Sequence, residues 1–364
     1  MIIKEVVTAI ESFAPLAFQE KYDNAGLLVG NSHDEVNAVL IAVDITDEVL
    51  EEAIAKGANL IIGHHPLIFE GLKSLTGKTY VERHVIKAVK NNIAIYAAHT
   101  NLDNVTGGIN SKMAEKLLLE NTQILVPKSD ELRKLAVFVP ADYANQVREG
   151  LFDAGAGHIG NYDACSYNIE GKGSFRGDEN TDPFVGKKGE LHFENEIRIE
   201  TIFPKHKTKQ VINKLIQVHP YEEVAYDVYP LENKLNNVGS GMIGNLGEPM
   251  EAEDFLDYLK QKLHVKMIKH TAFLGRKIER VAMCGGSGSF LIPQAKRNGA
   301  DVFITADVKY HQFFDADDTM IIMDIGHYES EQFSKEIFYE ILTEKFSTFA
   351  VHLSEVNTNP VNYY

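Results

Sequence analysis

Two adjacent histidines, His64 and His65, follow the apolar run 59–62 and stand just before Pro66. Neutral imidazole is the side chain that most often binds metal ions, and ligands of open α/β sheets bind just beyond the carboxyl ends of the strands. Neighbouring side chains in a strand point to opposite faces, so both rings can serve one site only where the strand ends. Pro66 favours such an end because it has no backbone N–H. Taken alone, the pair is also compatible with a polar strand end that carries two solvated or capping histidines.

Asp103, His327 and Glu331 also follow predicted strands. A parallel sheet would bring these residues and the histidine pair to one edge. Three histidines and two carboxylates suit Zn, Mn, Fe, Co or Ni. Five ligands exceed the three that a catalytic zinc ion uses, whereas five ligands with one bridging carboxylate suit two metal ions about 3.5–4 Å apart. We therefore expect two divalent metal ions per chain, with zinc favoured, and such a pair can lower the pKa of a bridging water.

Other polar residues at the same predicted edge have ambiguous roles. His99 is compatible with a metal ligand, a partner that orients Asp103, or a base. Asp44 follows the first predicted strand, and Asp307 and His311 follow a strand near the other end of the chain. For these three residues a structural role and a functional role fit the pattern equally well. We take His99 and Asp307 as candidate catalytic residues that carry protons or orient ligands.

The elements that must position these residues form two similar α/β halves. In each half, strand-like apolar runs alternate with helix-like segments, which implies parallel pairing with right-handed crossovers. The first half has predicted helices at 4–13, 47–56 and 82–91 and predicted strands at 39–43, 60–62 and 93–97; the second has predicted strands at 280–284, 302–304 and 320–324. The fold class expected is α/β, with both halves in one core of parallel-rich sheets.

The two halves also correspond residue by residue near the strand ends. The segment 57–59, Gly-Ala-Asn, matches 299–301, Gly-Ala-Asp. In this alignment the histidine pair corresponds to Ala306-Asp307. The His-x3-Asp spacing at 99–103 corresponds to the His-x3-Glu spacing at 327–331. We interpret this as a duplicated α/β unit. The alternative is that two doubly wound halves look alike by pattern alone.

The middle of the chain has a different sequence pattern from the two halves. It reads as strand 135–139, helix 143–154, a glycine-rich loop within 171–189, strand 191–202, helix 205–218 and strand 224–229. This order predicts a small α+β, ferredoxin-like module inserted between the halves. The predicted domains are therefore 1–126, 127–237 and 238–364. In the module, His219 is interpreted as part of a solvated turn before a strand, with metal binding as the alternative.

Composition narrows the class of protein. The 364 residues are 44% hydrophobic and 24% charged, as expected for a globular chain. No apolar run is long enough to span a membrane, and residues 1–5 lack a secretory pattern. Two cysteines cannot form a disulfide framework in such a chain, which favours the cytoplasm. The net charge of −16 makes nucleic acid an unexpected partner.

With these residues in view, the chain resembles the NIF-three (NGG-one-interacting factor three) family, whose bacterial members are often called GTP cyclohydrolase 1 type 2 homologs. Seven segments spread along the chain carry the resemblance, and the fifth of them re-enters the second half. They are YDNAGL at 22–27, GHHP at 63–66, AHTNLD at 98–103, HPYEE at 219–223, VGSGMIG at 238–244, ITADVKYH at 304–311 and HYESE at 327–331. The departures are Ala306, where many relatives have Gly, and Tyr22, where many have Trp; neither is a candidate ligand.

The resemblance implies a dinuclear metal site. One metal ion would be held by His65, Asp103 and Glu331, and the other by His64, His327 and Glu331, so that Glu331 bridges. It also implies a homohexameric toroid whose sites face an inner cavity, and an inserted domain of the PII/CutA type.

Two functional hypotheses follow. The first is a metal-dependent hydrolase that acts on a nucleotide-like or other small substrate, for which the resemblance suggests cyclohydrolase chemistry at C8 of GTP. The second is a non-catalytic metal-binding scaffold or regulatory toroid, in which the insert gates the cavity or binds an effector. The sequence contains no recognisable purine pocket, and fold resemblance alone does not establish a reaction.

Overall fold

The computed structural model describes residues 1–364. The chain divides into two compact units. Unit 1 comprises Met1–Val126 together with Asn237–Tyr364, and unit 2 is Pro127–Asn236. The predicted boundaries at 127 and 237 lie within one residue of this division. No helix in the structure is both long enough and apolar enough to span a bilayer.

The regular elements alternate along the chain. The strands are β1 Gly26–Val29, β2 Val39–Ala42, β3 Leu60–Gly63, β4 Ala94–Ala97, β5 Glu120–Lys128, β6 Leu132–Pro140, β7 Tyr167–Phe175, β8 His192–Pro204, β9 Tyr226–Leu231, β10 Leu235–Met250, β11 Lys269–His270, β12 Ile278–Ser287, β13 Val302–Ala306, β14 Ile321–Asp324 and β15 Val351–Leu353. The α-helices are α1 Ile3–Phe13, α2 Asp47–Lys56, α3 Tyr80–Lys90, α4 Thr100–Asp103, α5 Ile109–Lys116, α6 Ala144–Asp153, α7 Thr208–Val218, α8 Ala252–Leu263, α9 Ile292–Arg297, α10 His327–Glu331 and α11 Ser334–Lys345.

The first sheet of unit 1 has the strand order β1-β4-β3-β2-β15. β2, β3 and β4 run parallel, with Leu60 opposite both Val39 and Ala94. Helices α2 and α3 cover one face, where Leu50 and Val85 pack into the same buried cluster as Ile61. β15 joins β2 in parallel and β1 joins β4 antiparallel. These two edge strands are not predicted from the pattern, because they are only partly buried, whereas the equally short β2, β3 and β4 are buried throughout and read as continuous apolar runs.

The second sheet of unit 1 has the order β11-β14-β13-β12-β10-β5. β12, β13 and β14 run parallel, as predicted, with Val302 opposite both Val281 and Ile321. β10 pairs antiparallel with β12. β10 is not predicted, because its segment 239–247 contains Gly-x-Gly spacings that read as turns. The first sheet therefore presents the carboxyl ends of four parallel strands, and the second sheet those of three.

Unit 2 contains one antiparallel sheet in the order β7-β8-β6-β9. The chain order β6-α6-β7-β8-α7-β9 is that of the ferredoxin-like motif. Its core is formed on one face of the sheet, where Val147 of α6 and Leu215 of α7 pack with Val137 and Ile199. The predicted helices and strands of the module are present, but the segment expected to be a glycine-rich loop from 171 onwards begins within strand β7, Tyr167–Phe175.

Candidate metal centre

The end of β3 brings both adjacent histidines into one site. The peptide N–H groups of His64 and His65 both donate to the carbonyl of Val43, each at 3.0 Å. Successive amides of a regular strand alternate in direction, so this shared acceptor marks the point where the strand ends. The two imidazole centroids lie 4.9 Å apart. The chain turn at Gly63, rather than strand periodicity, therefore allows both rings to serve one site.

Two short helices carry the other candidate ligands at equivalent strand ends. His99 directly precedes α4, whose last residue is Asp103, and α10 runs from His327 to Glu331. α10 begins after Gly326, which adopts a left-handed φ of 94°. Each helix has a single turn, so a histidine and a carboxylate four positions apart lie on the same side of it.

The first cluster consists of His64, Asp103 and Glu331. His64 Nε2 lies 3.7 Å from Asp103 Oδ1 and 3.6 Å from Glu331 Oε2. The His64 Nδ1 atom donates to the carbonyl of Ala98 at 2.9 Å, since a carbonyl can only accept. In the neutral ring, Nε2 therefore presents its lone pair to the two carboxylates. Burial lowers the pKa of His64, which favours this neutral form.

The second cluster consists of His65, His327 and Glu331. Glu331 Oε2 lies 2.9 Å from His65 Nε2 and 3.1 Å from His327 Nε2. The two Nε2 atoms are 3.3 Å apart. A carboxylate holds the other nitrogen of each ring: Asp44 Oδ1 lies 2.7 Å from His65 Nδ1, and Asp307 Oδ2 lies 2.6 Å from His327 Nδ1. This carboxylate–histidine pairing is the usual way in which proteins orient metal-binding imidazoles.

The charges around these clusters shift several pKa values. Burial alone would lower the pKa of His65, but the carboxylates of Asp44 and Glu331 raise it to about 10. Burial opposes protonation of His327 too, yet Glu331 and Asp307 raise its pKa to about 9. Burial and then the charge of Glu331 raise the pKa of Asp103. The pKa of Glu331 is held low by His64, His327 and His65, although burial opposes this.

The grouping of the ligands differs from the one implied by the family resemblance. There His65 shares a metal ion with Asp103, and His64 with His327. Here the ligand atoms of His64, Asp103 and Glu331 lie within 4.8 Å of one another, as do those of His65, His327 and Glu331. The physical reason is that His64 is fully buried behind the strand end beside α4, whereas His65 is partly exposed and faces α10. Glu331 belongs to both groups in either case.

The site also contains partners that the sequence pattern does not identify. Asp23 Oδ1 lies 2.9 Å from His99 Nδ1, and the ring of His99 also approaches His64 and His65. The hydroxyl of Thr358 donates to Asp44 Oδ2 at 2.6 Å. A Cβ atom on Gly286 would clash with Glu331 Oε1, so only glycine leaves room for that carboxylate. Asp23 lies in the segment 22–27 that carries the family resemblance, and this could have pointed to a role in the site. The residues around Thr358 contain no comparable motif. His311 lies outside both ligand clusters.

Two cavities adjoin the clusters and share His65 and His327. The first, of about 300 Å³, is also lined by His99, Asp103 and Glu331, and three exposed aromatic side chains border it. These are Tyr22, Phe69 and Phe290, with exposed fractions of 67%, 47% and 60%. The second, of about 280 Å³, is lined by Asp44, Asp307 and residues 359–363. Burial raises the pKa of the Cys284 thiol, which lines the first cavity and therefore stays protonated.

The donor set fits a divalent cation. His64 Nε2 and Asp103 Oδ1 are buried polar atoms with no hydrogen-bond partner. Three electron-rich atoms that face one another in a dry site repel unless a positive charge lies among them. Imidazole nitrogens together with carboxylate oxygens suit Zn, Fe, Mn, Co and Ni. His99 meets His64 and His65 in a third group of atoms within 4.8 Å, so it also lies within reach of a cation.

Fold and site together define an α/β protein with two related parallel sheets and a cluster of histidines and carboxylates, suited to metal ions, at their strand ends. Comparison with known proteins agrees with this class. The chain belongs to the Duf34/NIF3 (NGG1p interacting factor 3) family, which it matches over residues 1–360. It is similar to the GTP cyclohydrolase 1 type 2 homolog of Bacillus subtilis (strain 168), with 41% identity over 372 residues that cover 99% of this chain and 98% of the relative.

Solved structures support the same family and fold. A Bacillus cereus protein related to NIF3 is 42% identical and superposes with a TM-score of 0.88, covering 100% of this chain and 99% of that chain. A Staphylococcus aureus protein, SA1388, is 31% identical with a TM-score of 0.80, and the coverage is again 100% and 99%. The resemblance read from the seven sequence segments is therefore confirmed.

Proposed function

We propose that the cluster binds two divalent metal ions and that Glu331 is their shared ligand. Together with Glu331, His64 and Asp103 would coordinate one ion, and His65 and His327 would coordinate the other. The observation that carries this proposal is the position of Glu331 Oε2, which lies 2.9–3.6 Å from the Nε2 atoms of three different histidines. Zinc is the first choice, and Fe, Mn, Co and Ni suit the same donors.

We further propose that the protein is a metal-dependent hydrolase for a nucleotide-like or other small substrate. A pair of bound metal ions supplies a water of lowered pKa and a positive charge for the attacked oxygen. His99 would accept or deliver the proton, because Asp23 occupies its Nδ1 atom and leaves Nε2 for this task. Asp307 would act by positioning His327. The relatives' name suggests GTP, with water attacking C8 of the purine, and Tyr22, Phe69 and Phe290 offer rings against which a planar base can stack.

The decisive experiment couples metal content to turnover. We expect the purified chain to retain divalent metal by mass spectrometry and to hydrolyse a nucleotide, phosphoester or cyclic amide in a panel that includes GTP. His64→Ala should lose metal and activity together. His311→Ala is the matched control, because His311 also comes after a parallel strand of unit 1, β13, but lies outside both clusters. Metal retention without turnover of any panel member would contradict the hydrolase.

A non-catalytic scaffold is the second candidate, and one observation favours it. Unit 2 carries a cavity of about 420 Å³ of its own, as expected of a module that senses an effector. In this reading residues 127–237 form an inserted domain of the PII/CutA type that responds to a ligand, and the metal ions stabilise the core. Metal-dependent turnover that His64→Ala abolishes would exclude it.

The proposed assembly is a homohexamer. Large exposed side chains on the sheet of unit 2 support a protein interface there, among them Tyr167, Ile169 and Tyr229. By register these three lie on the sheet face opposite to α6 and α7. We expect light scattering to give six times the mass of one chain. The charge of −16 leads us to expect no salt-sensitive retention on DNA.

A further inference from the structure

The cavity of about 420 Å³ in unit 2 has aromatic walls. Its lining includes the rings of Phe138, Phe175, Phe184 and Tyr221, and we call it the Tyr221 pocket. The centroid of Tyr221 lies 6.0 Å from that of Phe175 and 6.3 Å from that of Phe184. These separations are those of tilted aromatic rings in contact, so Phe175, Tyr221 and Phe184 form one continuous aromatic wall of the cavity.

Hydrogen bonds hold Tyr221 in place. Its hydroxyl donates to Glu196 Oε1 at 3.0 Å, and its peptide N–H donates to His219 Nδ1 at 3.1 Å. His219 Nε2 in turn donates to the carbonyl of Phe138 at 3.0 Å. His219 is therefore a buried, neutral link between two walls of the pocket. The turn predicted for 219–223 before a strand is present, with Glu222 and Glu223 exposed, but His219 itself is not solvated.

The wall that carries Phe184 belongs to the connection between β7 and β8. Gly189 donates its N–H to the carbonyl of Gly177 at 2.8 Å, which closes this connection into a loop. The N–H of Asp182 donates to Glu222 Oε1 at 2.8 Å, which ties the loop to the turn before β9. Phe184 itself packs edge-on against Tyr143 at 5.4 Å. The loop thus places an aromatic ring that is still 48% exposed at the pocket.

The charge of the pocket is negative. Glu196, Glu222 and Glu223 line it, and Arg176 is the cationic residue in the lining. A Cβ atom on Gly173 would clash with the Glu196 carboxylate, so glycine at this point of β7 allows the carboxylate to lie against the strand. The nearby guanidinium of Arg198 is paired with Glu200 at 2.8 Å and also lies over the Phe138 ring, 5.7 Å from its centroid, so this face already carries a cation. An excess of carboxylates remains beside the other three rings, those of Phe175, Phe184 and Tyr221.

We infer that the Tyr221 pocket binds a small organic ammonium cation. Aromatic faces attract cations through their quadrupole, and sites with several aromatic walls recognise quaternary ammonium groups. Carboxylates at the same cavity add charge complementarity and can accept hydrogen bonds from a primary amine. Phosphates and carboxylate ligands are disfavoured by the same charge. Every residue of the pocket belongs to unit 2, and none is a candidate metal ligand.

The test is calorimetric titration of the full-length protein with choline, with putrescine and with 3,3-dimethylbutanol, the uncharged isostere of choline. We expect saturable binding of choline, of putrescine or of both, and none of the isostere. Saturation by choline would assign a quaternary ammonium ligand, and saturation by putrescine a primary amine. Absence of binding by both amines, or equal binding of the isostere, would overturn the inference.

Variants locate the binding. Phe184→Ala removes an exposed ring, and Glu196→Gln removes a charge. Each should weaken binding of the amine about tenfold, which is near the upper range for one cation–π contact or one charge pair. Glu179→Gln, in the same loop but outside the pocket, is the matched control and should bind as the wild type does. Unchanged affinity in both pocket variants would overturn the inference. His64→Ala should leave amine binding intact, so this test is separable from the metal proposal.

Discussion

The two halves of unit 1 place different side chains on equivalent scaffolds. Both have three parallel strands followed by a one-turn helix with a histidine and a carboxylate four positions apart. His64 and His65 follow β3 in the first half, whereas in the second half β13 ends at Ala306 and is followed by Asp307. The first half thus supplies imidazoles, and the second supplies a carboxylate that orients one. The scaffold fixes where side chains meet, and their identity decides which of them could hold a metal ion.

The carboxylates of the two helices also differ. Glu331 approaches His64, His65 and His327, whereas Asp103 pairs with His64. A glutamate is one methylene longer than an aspartate, and Gly286 leaves space for its carboxylate. The comparison therefore teaches that the acid that reaches both clusters comes from the half with the longer side chain. The following predictions test this asymmetry.

Replacement of the shared ligand should have the largest effect. Glu331→Gln removes the negative charge between the three imidazoles, and we expect loss of both metal ions. Affinity should fall by more than about a hundredfold, because even partners that only orient ligands contribute 10–100-fold. Metal content by plasma mass spectrometry is the measurement. Retention of one full equivalent would show that Glu331 is not shared.

Replacement of the unshared acid should remove one ion only. Asp103→Asn leaves His65, His327 and Glu331 in place, so we expect the metal content to fall from two equivalents to one. Asp103→Glu is the matched variant, since it restores the charge on a longer side chain. If Asp103→Asn empties both positions, the two halves do not differ as proposed.

Replacement of the carboxylates that orient the imidazoles should have the next largest effect on metal affinity. Asp44→Ala should weaken metal binding about 10–100-fold, since Asp44 fixes His65 Nδ1. Asp307→Ala should have a smaller effect, because the Asp307 side chain is 53% exposed and water can replace it. Competition with a chelator gives both affinities. A greater loss in Asp307→Ala than in Asp44→Ala would reverse this ranking.

A substitution in the segment 351–364 should reduce metal affinity by a still smaller factor. Thr358→Val removes the hydroxyl that donates to Asp44 Oδ2. We expect metal affinity to fall about threefold or less, because water can take the place of the hydroxyl at this partly buried atom. Thr358→Ser should behave as the wild type does in the same chelator competition. A loss as large as that of Asp44→Ala would mean that Thr358 is required to hold Asp44.

The smallest effect concerns acid stability in the first half. Burial lowers the pKa of His84 on α3, although Asp47 opposes the shift. The unfolded chain then binds this proton more readily, so the contribution is nil at neutral pH and stability falls as the pH drops through about 6.5. Urea unfolding at two pH values should show a shallower decline for His84→Asn. An unchanged pH slope in the variant would contradict this assignment.

Much of the fold follows from local pattern. The parallel strands of both halves and the helices between them have clear periodicity, because each must bury an apolar face. The edge strands β1 and β15 are not predicted because they are only partly buried, and β10 is not predicted because its glycines read as turns. The orienting partners Asp23 and Thr358 are invisible for a different reason. Their roles depend on contacts with residues 76 and 314 positions away in the chain.

The sequence by itself determined which side chains stand at the strand ends, and therefore the donor set of three histidines and two acids. Only the tertiary structure decided how those donors are grouped. His64 falls with Asp103 and His65 with His327, because one histidine is buried beside α4 and the other faces α10. Adjacency in the chain sets the distance between two Cα atoms, whereas the direction of each ring depends on the packing and hydrogen bonds of distant segments. For this reason the sequence identified the candidate ligands, and the fold determined which of them lie together.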